Sequence, residues 1–395
     1  MTHLLAALAL VPLSGCSIAA VDYGKIRHAE YVADPRCTAQ PGAVVDGEAL
    51  PYFFATSRLP DCRTSEIELL HHRGDRIRYG RFNAPRDVEV GKKERFLTPL
   101  AFQTPADWWR ALQAETDRRQ GRVLLYVHGY RENFNTTSKD AAQIARMTGF
   151  DGPIIEYSWP SQGKILSYVV DETNMYHDVR NFRDFLKSLA EQGWVKEIVI
   201  VSHSLGARLV IPAISYVDRT SSSADSSNIS NIILASPDID RETFERDIEE
   251  EVLSARRVAN NRRITVYTSR ADKALAASRA IHGYPRLGSP YCFDPFEAAE
   301  LKAKGLPERC YPAARPGFTV IDTTDVSRGS TGHSNFLRSA VACRDFIDVV
   351  ANKRTRPERV ATQWAHVFRL VPDPAVPKDG DDATCHRTPE AEVPE

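Results

Sequence analysis

"IVIVSHSLGAR", residues 198–208, is where the reading of this chain turns. Ile198 to Val201 form an unbroken apolar run with no polar alternation. Such a run reads as a strand buried on both faces, the kind found in parallel sheets. "LGARLVIPAISYV", 205–217, then carries apolar residues at helical spacing. Pro212 falls inside that helix, where a proline usually bends the axis. Ser204 therefore sits on a short turn between strand and helix. Ser202 and Gly206, two positions to either side, are both small. That allows the backbone to close tightly and lift the Ser204 hydroxyl above the strand end. Reactive groups of open α/β sheets gather at that edge. The alternative is a serine that ends one strand and caps the next helix.

Outward from this stretch the pattern alternates. "RVLLYVHGY" (122–130), "GPIIEYSWPS" (152–161), "NIILASPDID" (231–240), "RRITVYTSRAD" (262–272) and "FTVIDTTDV" (318–326) read as strands. Helical patterns separate or follow them at 138–149, 172–193, 241–260, 273–281 and 334–353, with a further one at 105–121. The alternation predicts an α/β fold with a mostly parallel central sheet and helices on both faces. "YFFATSR" (52–58) and the stretch 75–90 predict antiparallel edge strands at the N-terminal side. One domain over 51–353 follows, preceded by a lead-in over 16–50 and followed by a Pro- and charge-rich tail over 354–395. Residues 285–317 hold six prolines and two cysteines, and read as an added segment near the strand ends.

The formal charge of −1 gives no global field for nucleic acid or an anionic membrane surface. The first residues, "MTHLLAALALVPLSGCS", read as a secretion signal over 1–15, its apolar stretch too short to span a bilayer. Leu13-Ser14-Gly15-Cys16 resembles a bacterial lipobox. That resemblance implies lipid attachment at Cys16, a membrane anchor, and outer-membrane sorting facing the periplasm. The n-region departs from the pattern, with His3 but no Lys or Arg. Of the seven cysteines, setting Cys16 aside leaves Cys37, Cys62, Cys292, Cys310, Cys343 and Cys385. An even number suits disulfides in an oxidising compartment, and pairing neighbours gives Cys37–Cys62, Cys292–Cys310 and Cys343–Cys385. Reduced, buried cysteine is the alternative. No cysteine or histidine spacing suggests a metal site.

The chemistry is read from the strand ends. Ser204 has the strand–turn–helix context that a nucleophile needs. His128-Gly129-Tyr130 ends an earlier strand, so an amide of Tyr130 or Arg131, together with that of Leu205, is expected to stabilise an oxyanion. The acid should follow the nucleophile. Asp272 is preferred and Asp238 is the alternative, although either aspartate could instead cap a helix. His333, in "STGHSNF" after the last predicted strand, is the expected base.

With these residues in place, the chain over about 50–350 resembles an uncharacterised bacterial lipoprotein branch of the α/β-hydrolase superfamily. The resemblance rests on "YFFATSR", "LLYVHGY", "YSWPS", "VSHSLGAR", "LASPDID", "SRADKAL" and "GHSNF". It implies a triad of Ser204, Asp272 and His333, a serine hydrolase acting on an ester or thioester, and no cofactor. The expected partner is a small-molecule or lipid-like ester. A peptidase or amidase would use the same residues, and a non-catalytic envelope lipoprotein could keep the fold as a binding scaffold.

Overall fold

The computed structural model describes residues 28–38, 50–63, 67–84, 101–220, 228–290, 302–305, 310–352 and 359–373. Cys16, Cys292, Cys385 and the signal segment lie outside them. Among the described residues no helix is long and apolar enough to cross a membrane.

Among the described residues eleven strands form one sheet in the order β10-β11-β9-β8-β7-β6-β4-β5-β1-β2-β3. In chain order they are β1 (Leu50–Asp61), β2 (Glu68–Ala84), β3 (Ala101–Gln103), β4 (Arg122–Val127), β5 (Ile154–Ser158), β6 (Glu197–His203), β7 (Ile229–Ala235), β8 (Arg263–Thr268), β9 (Phe318–Asp322), β10 (Arg359–Ala361) and β11 (Val367–Leu370). The sheet is parallel from β1 through β11 in that spatial order. Antiparallel pairs occur only at its two edges, where β2 joins β1 and β3, and β10 joins β11. The N-terminal edge is therefore antiparallel as expected at β2, β1 itself runs parallel to β5, and β3 is an edge strand the sequence reading did not include. The predicted tail starting at 354 is a correction. Residues 359–370 contribute β10 and β11, which extend the sheet beyond β9.

The main helices are α1 (Pro105–Asp117), α2 (Phe134–Thr148), α3 (Tyr168–Ala190), α4 (Ala207–Thr220), α5 (Lys273–His282) and α6 (Ala340–Val350). The expected helix 241–260 is instead broken into short helical pieces. The central strands send alternate residues to opposite faces, as a pleated strand must. Val123, Leu125, Ile198, Ile200, Ile232 and Leu234 pack on one side with Trp108, Phe182, Leu209 and Ile214 of α1, α3 and α4. Leu124, Tyr126, Val199, Val201 and Ile233 pack on the other with Ile144 of α2 and Val341 and Phe346 of α6. Burial on both faces explains why these strands read as continuous apolar runs. The chain moves from β4 to β5 on one side and returns to β6 on the other, so the strand order reverses at β4. A crevice opens at the carboxyl ends of strands flanking such a reversal. Ser204 follows β6 and Gly129 follows β4.

Cys37 and Cys62 form a disulfide with their Cα atoms 5.9 Å apart, as neighbour pairing predicted. Cys310 and Cys343 each stand in a disulfide as well; the partners that neighbour pairing gives them, Cys292 and Cys385, lie outside the described residues.

Candidate active site

Ser204 has φ +51, in the left-handed region that side chains rarely occupy. A strained residue of this kind costs about 1–3 kcal/mol and persists only where its surroundings fix it. Those surroundings are small and close. A Cβ on Gly206 would come within 2.5 Å of the His128 carbonyl oxygen, and one on Gly129 within 2.6 Å of Ser204 Cβ. The turn after β6 and the loop after β4 therefore touch backbone to backbone. Ser202 takes the place where a glycine would relax this packing. Its hydroxyl is buried with no hydrogen-bond partner among the described residues, only 3.1 Å from where a Gly206 Cβ would lie. Ser204 also accepts the Asp238 N–H on its carbonyl at 3.0 Å, which ties the turn to the loop after β7.

Asp272 and His333 meet at the ends of β8 and β9. His333 Nδ1 lies 2.7 Å from Asp272 Oδ2. The carboxylate only accepts, so Nδ1 donates and Nε2 keeps its lone pair in the neutral ring. Asp272 caps α5, its Oδ1 accepting the Leu275 N–H at 3.0 Å. Its side chain is 0% exposed and that of His333 13%. His333 Nε2 is buried and has no hydrogen-bond partner among the described residues. Burial by itself pulls the imidazole pKa down; the Asp272 carboxylate outweighs it, and the net shift is upward. Gly332, at φ +64, lets the histidine loop pass against the aspartate loop, where a Cβ would come within 2.8 Å of the Ala271 carbonyl oxygen. Lys273 N–H donates to the Thr331 carbonyl at 2.9 Å and fastens the two loops together.

His203 packs beneath this pair. Its ring lies 4.8 Å from that of His333 and 5.4 Å from that of Phe336. Burial brings its pKa down to about 3, so it is a neutral packing group.

Two other expected residues are placed elsewhere. Asp238 does not meet His333; its oxygens accept Tyr168 Oη at 2.6 Å and Ser278 Oγ at 2.7 Å. Arg131 is a correction: its amide donates to Asp171 Oδ2 at 3.1 Å and is not available to an oxyanion. Of the two candidate amides in this loop, that of Tyr130, beside Gly129, is not engaged by Asp171. Among the described residues no group of three or more His, Cys, Asp or Glu is placed to hold a metal ion.

Residues 107–351 match a family described as "Alpha/beta hydrolase of unknown function (DUF900)". The chain belongs to this family. The matched span contains Tyr130, Ser204, Asp238, Asp272 and His333. No curated protein sequence matches the chain. Solved structures similar to it include a hyperthermophilic esterase from the archaeon Pyrobaculum calidifontis, at 12% identity and TM-score 0.32, over 70% of this chain and 80% of that one. An acetylxylan esterase is similar at 13% identity and TM-score 0.33, over 59% of this chain and 98% of that one. An esterase from the Planctomycetes species Thermogutta terrifontis is similar at 13% identity and TM-score 0.30, over 75% and 93%. The fold of this α/β hydrolase rests on the family match and on its own sheet, not on these distant likenesses.

Residues that the sequence did not single out also surround the site: Asp171 and Ser161 behind the loop after β4, and Arg208, Tyr168 and Ser278 around Asp238. One signal was available for Asp171. It occupies the buried stripe of α3 with Met175, Asp178, Phe182 and Leu189, where an apolar residue is the norm.

Proposed function

We propose that this α/β hydrolase is a serine hydrolase that cleaves a carboxylic ester or thioester through an acyl-enzyme on Ser204. The observation that carries the reading is the buried His333–Asp272 pair. Its open Nε2 belongs to a ring packed on His203, the residue next to Ser204. In the first half-reaction Ser204 Oγ attacks the carbonyl carbon and His333 Nε2 takes its proton. The carbonyl oxygen gains negative charge and is met by the amides of Leu205 and Tyr130. The tetrahedral centre collapses and the leaving oxygen or sulfur departs with the proton from His333. Water then attacks the acyl-enzyme, gives its proton to His333, and Ser204 leaves as the hydroxyl. Asp272 holds the imidazole in one tautomer and offsets the positive charge it gains in each half-reaction.

Covalent labelling with a fluorophosphonate probe tests the reading. Wild-type protein is expected to label, and Ser204→Ala to lose labelling while keeping its circular dichroism spectrum. A folded wild type that does not label would favour the second reading, a binding scaffold.

A further inference from the structure

Three stretches that take no part in the proposed chemistry converge behind the loop after β4: the end of "YFFATSR", the end of "YSWPS" and the first turn of α3. They hold that loop one peptide unit after another. His128 Nδ1 lies 2.9 Å from the Gly129 carbonyl oxygen. The Arg131 N–H donates to Asp171 Oδ2 at 3.1 Å. The Glu132 N–H donates to Ser161 Oγ at 3.0 Å, and that hydroxyl donates to the same Asp171 oxygen at 2.6 Å. The Glu132 carbonyl accepts Arg58 Nη2 at 2.9 Å, and the Ser161 carbonyl accepts Arg58 Nη1 at 3.0 Å. Asp171 Oδ1 accepts the Gln162 N–H at 2.6 Å, so one carboxylate joins the loops after β4 and β5.

Arg131 has φ +65. A residue with a Cβ keeps that conformation only when its neighbours over-determine it. Here the determinant is its own N–H, drawn onto Asp171. The strained residue directly follows Tyr130, whose amide is assigned to the oxyanion. Asp171 and Arg58 are both fully buried, so each holds the backbone in low dielectric, where that hold is strong and hard to replace with water.

We propose that Asp171 is a positioning residue for the oxyanion loop: through Arg131 and Ser161, backed by Arg58, it fixes the peptide that aims the Tyr130 amide at Ser204, without touching substrate. The inference rests on the serine-hydrolase reading above. A carboxylate is suited to the task because donors converge on both of its oxygens. An amide in its place would turn an NH2 group toward either Gln162 N–H or the pair formed by Arg131 N–H and Ser161.

The test uses the full chain and a fluorophosphonate, resolving the maximal inactivation rate (kinact) from probe affinity (KI), with binding of an alkyl boronic acid as a second readout. The boronate adduct on serine places an oxygen where the oxyanion forms. Asp171→Asn is expected to lower kinact by about 10- to 100-fold, the scale of a small misplacement. KI should stay near wild type, and boronate affinity should fall in parallel. Ser161→Ala should move both in the same direction by less, and serves if Asp171→Asn does not fold. Wild-type kinact and boronate affinity in a folded Asp171→Asn, or in Ser161→Ala if only that variant folds, would overturn the proposal. A rise in KI alone would overturn it too. Ser204→Ala separates the two claims. If it still labels, the nucleophile reading fails and the positioning role falls with it. If it does not label while Asp171→Asn labels normally, the positioning role alone fails.

Discussion

Asp238 and Asp272 leave the carboxyl ends of neighbouring strands, β7 and β8, and are 2% and 1% exposed. Their surroundings give them opposite work. Asp272 spends one oxygen on the first turn of α5 and the other on His333. Asp238 is enclosed by Tyr168 and Ser278, with guanidinium nitrogens of Arg208 and Arg286 at 3.4 and 3.5 Å. Burial would raise its pKa, but Arg208 and the hydrogen bonds outweigh it, and the net shift is downward. Arg208 in turn pairs with Glu172, which also meets His282 Nε2 at 3.0 Å. Asp238 is thus the counter-ion at the centre of a closed polar cluster. Asp272 is a carboxylate with a single histidine on its open side. Residue type, burial and strand-end position are alike; what differs is which donors the neighbouring helices bring.

The contrast breaks most readily on rate. Asp272→Asn is expected to slow acylation of Ser204 by about 10⁴-fold, since the imidazole loses the group that fixes its tautomer. Asp238→Asn should stay within an order of magnitude of wild type when folded. Probe-labelling rates check both, and equal losses would end the distinction between them.

Stability is expected to rank the two positions the other way. Asp238→Ala leaves Arg208 and Arg286 buried without their shared carboxylate, a loss of about 3–5 kcal/mol. Asp272→Ala removes a helix cap and should cost about 1 kcal/mol. Urea denaturation of the two variants measures the gap. A larger loss for Asp272→Ala would mean that the Asp238 cluster is not what holds this edge together.

The smallest effect sharpens the comparison through pH. His333 acts as a base only when neutral, so the wild-type labelling rate should fall as pH drops through its pKa, above the ordinary value of about 6.5. Asp272→Asn removes the stronger of the two carboxylates that oppose burial, so the His333 titration should move to lower pH. Asp238→Asn should move it the same way by less, because Asp238 is the weaker of the two carboxylate influences. Histidine resonances followed by NMR across the titration measure each shift. An unmoved titration in Asp272→Asn would contradict the pairing.

Much of this was legible in the sequence because it is written in local pattern. The short apolar runs of β4, β6 and β7, each followed by turn residues, read as strands covered on both faces. The small residues around Ser204 mark a tight turn whatever follows. The meeting of Asp272 and His333 was within reach because both stand in loops that follow strands. β10 and β11 were missed since they are short and sit at an edge, with Val360 41% exposed, so neither alternation nor a buried run marks them. The short helical pieces over 241–259 were merged into one helix because spacing alone does not show where hydrogen bonding changes register.

By itself, then, the sequence determined the central strands of the sheet, the turn that carries Ser204, and a short list of partners for it. Tertiary structure decided among them. Asp272 rather than Asp238 faces His333 because Arg208, Arg286, Tyr168 and Ser278, from distant parts of the chain, had already enclosed Asp238. The Arg131 amide was removed from the oxyanion by Asp171, forty positions away. Periodicity records which face of an element is buried, because burial repeats along the chain. A hydrogen-bond partner depends on which elements fold against one another, and no local pattern carries that.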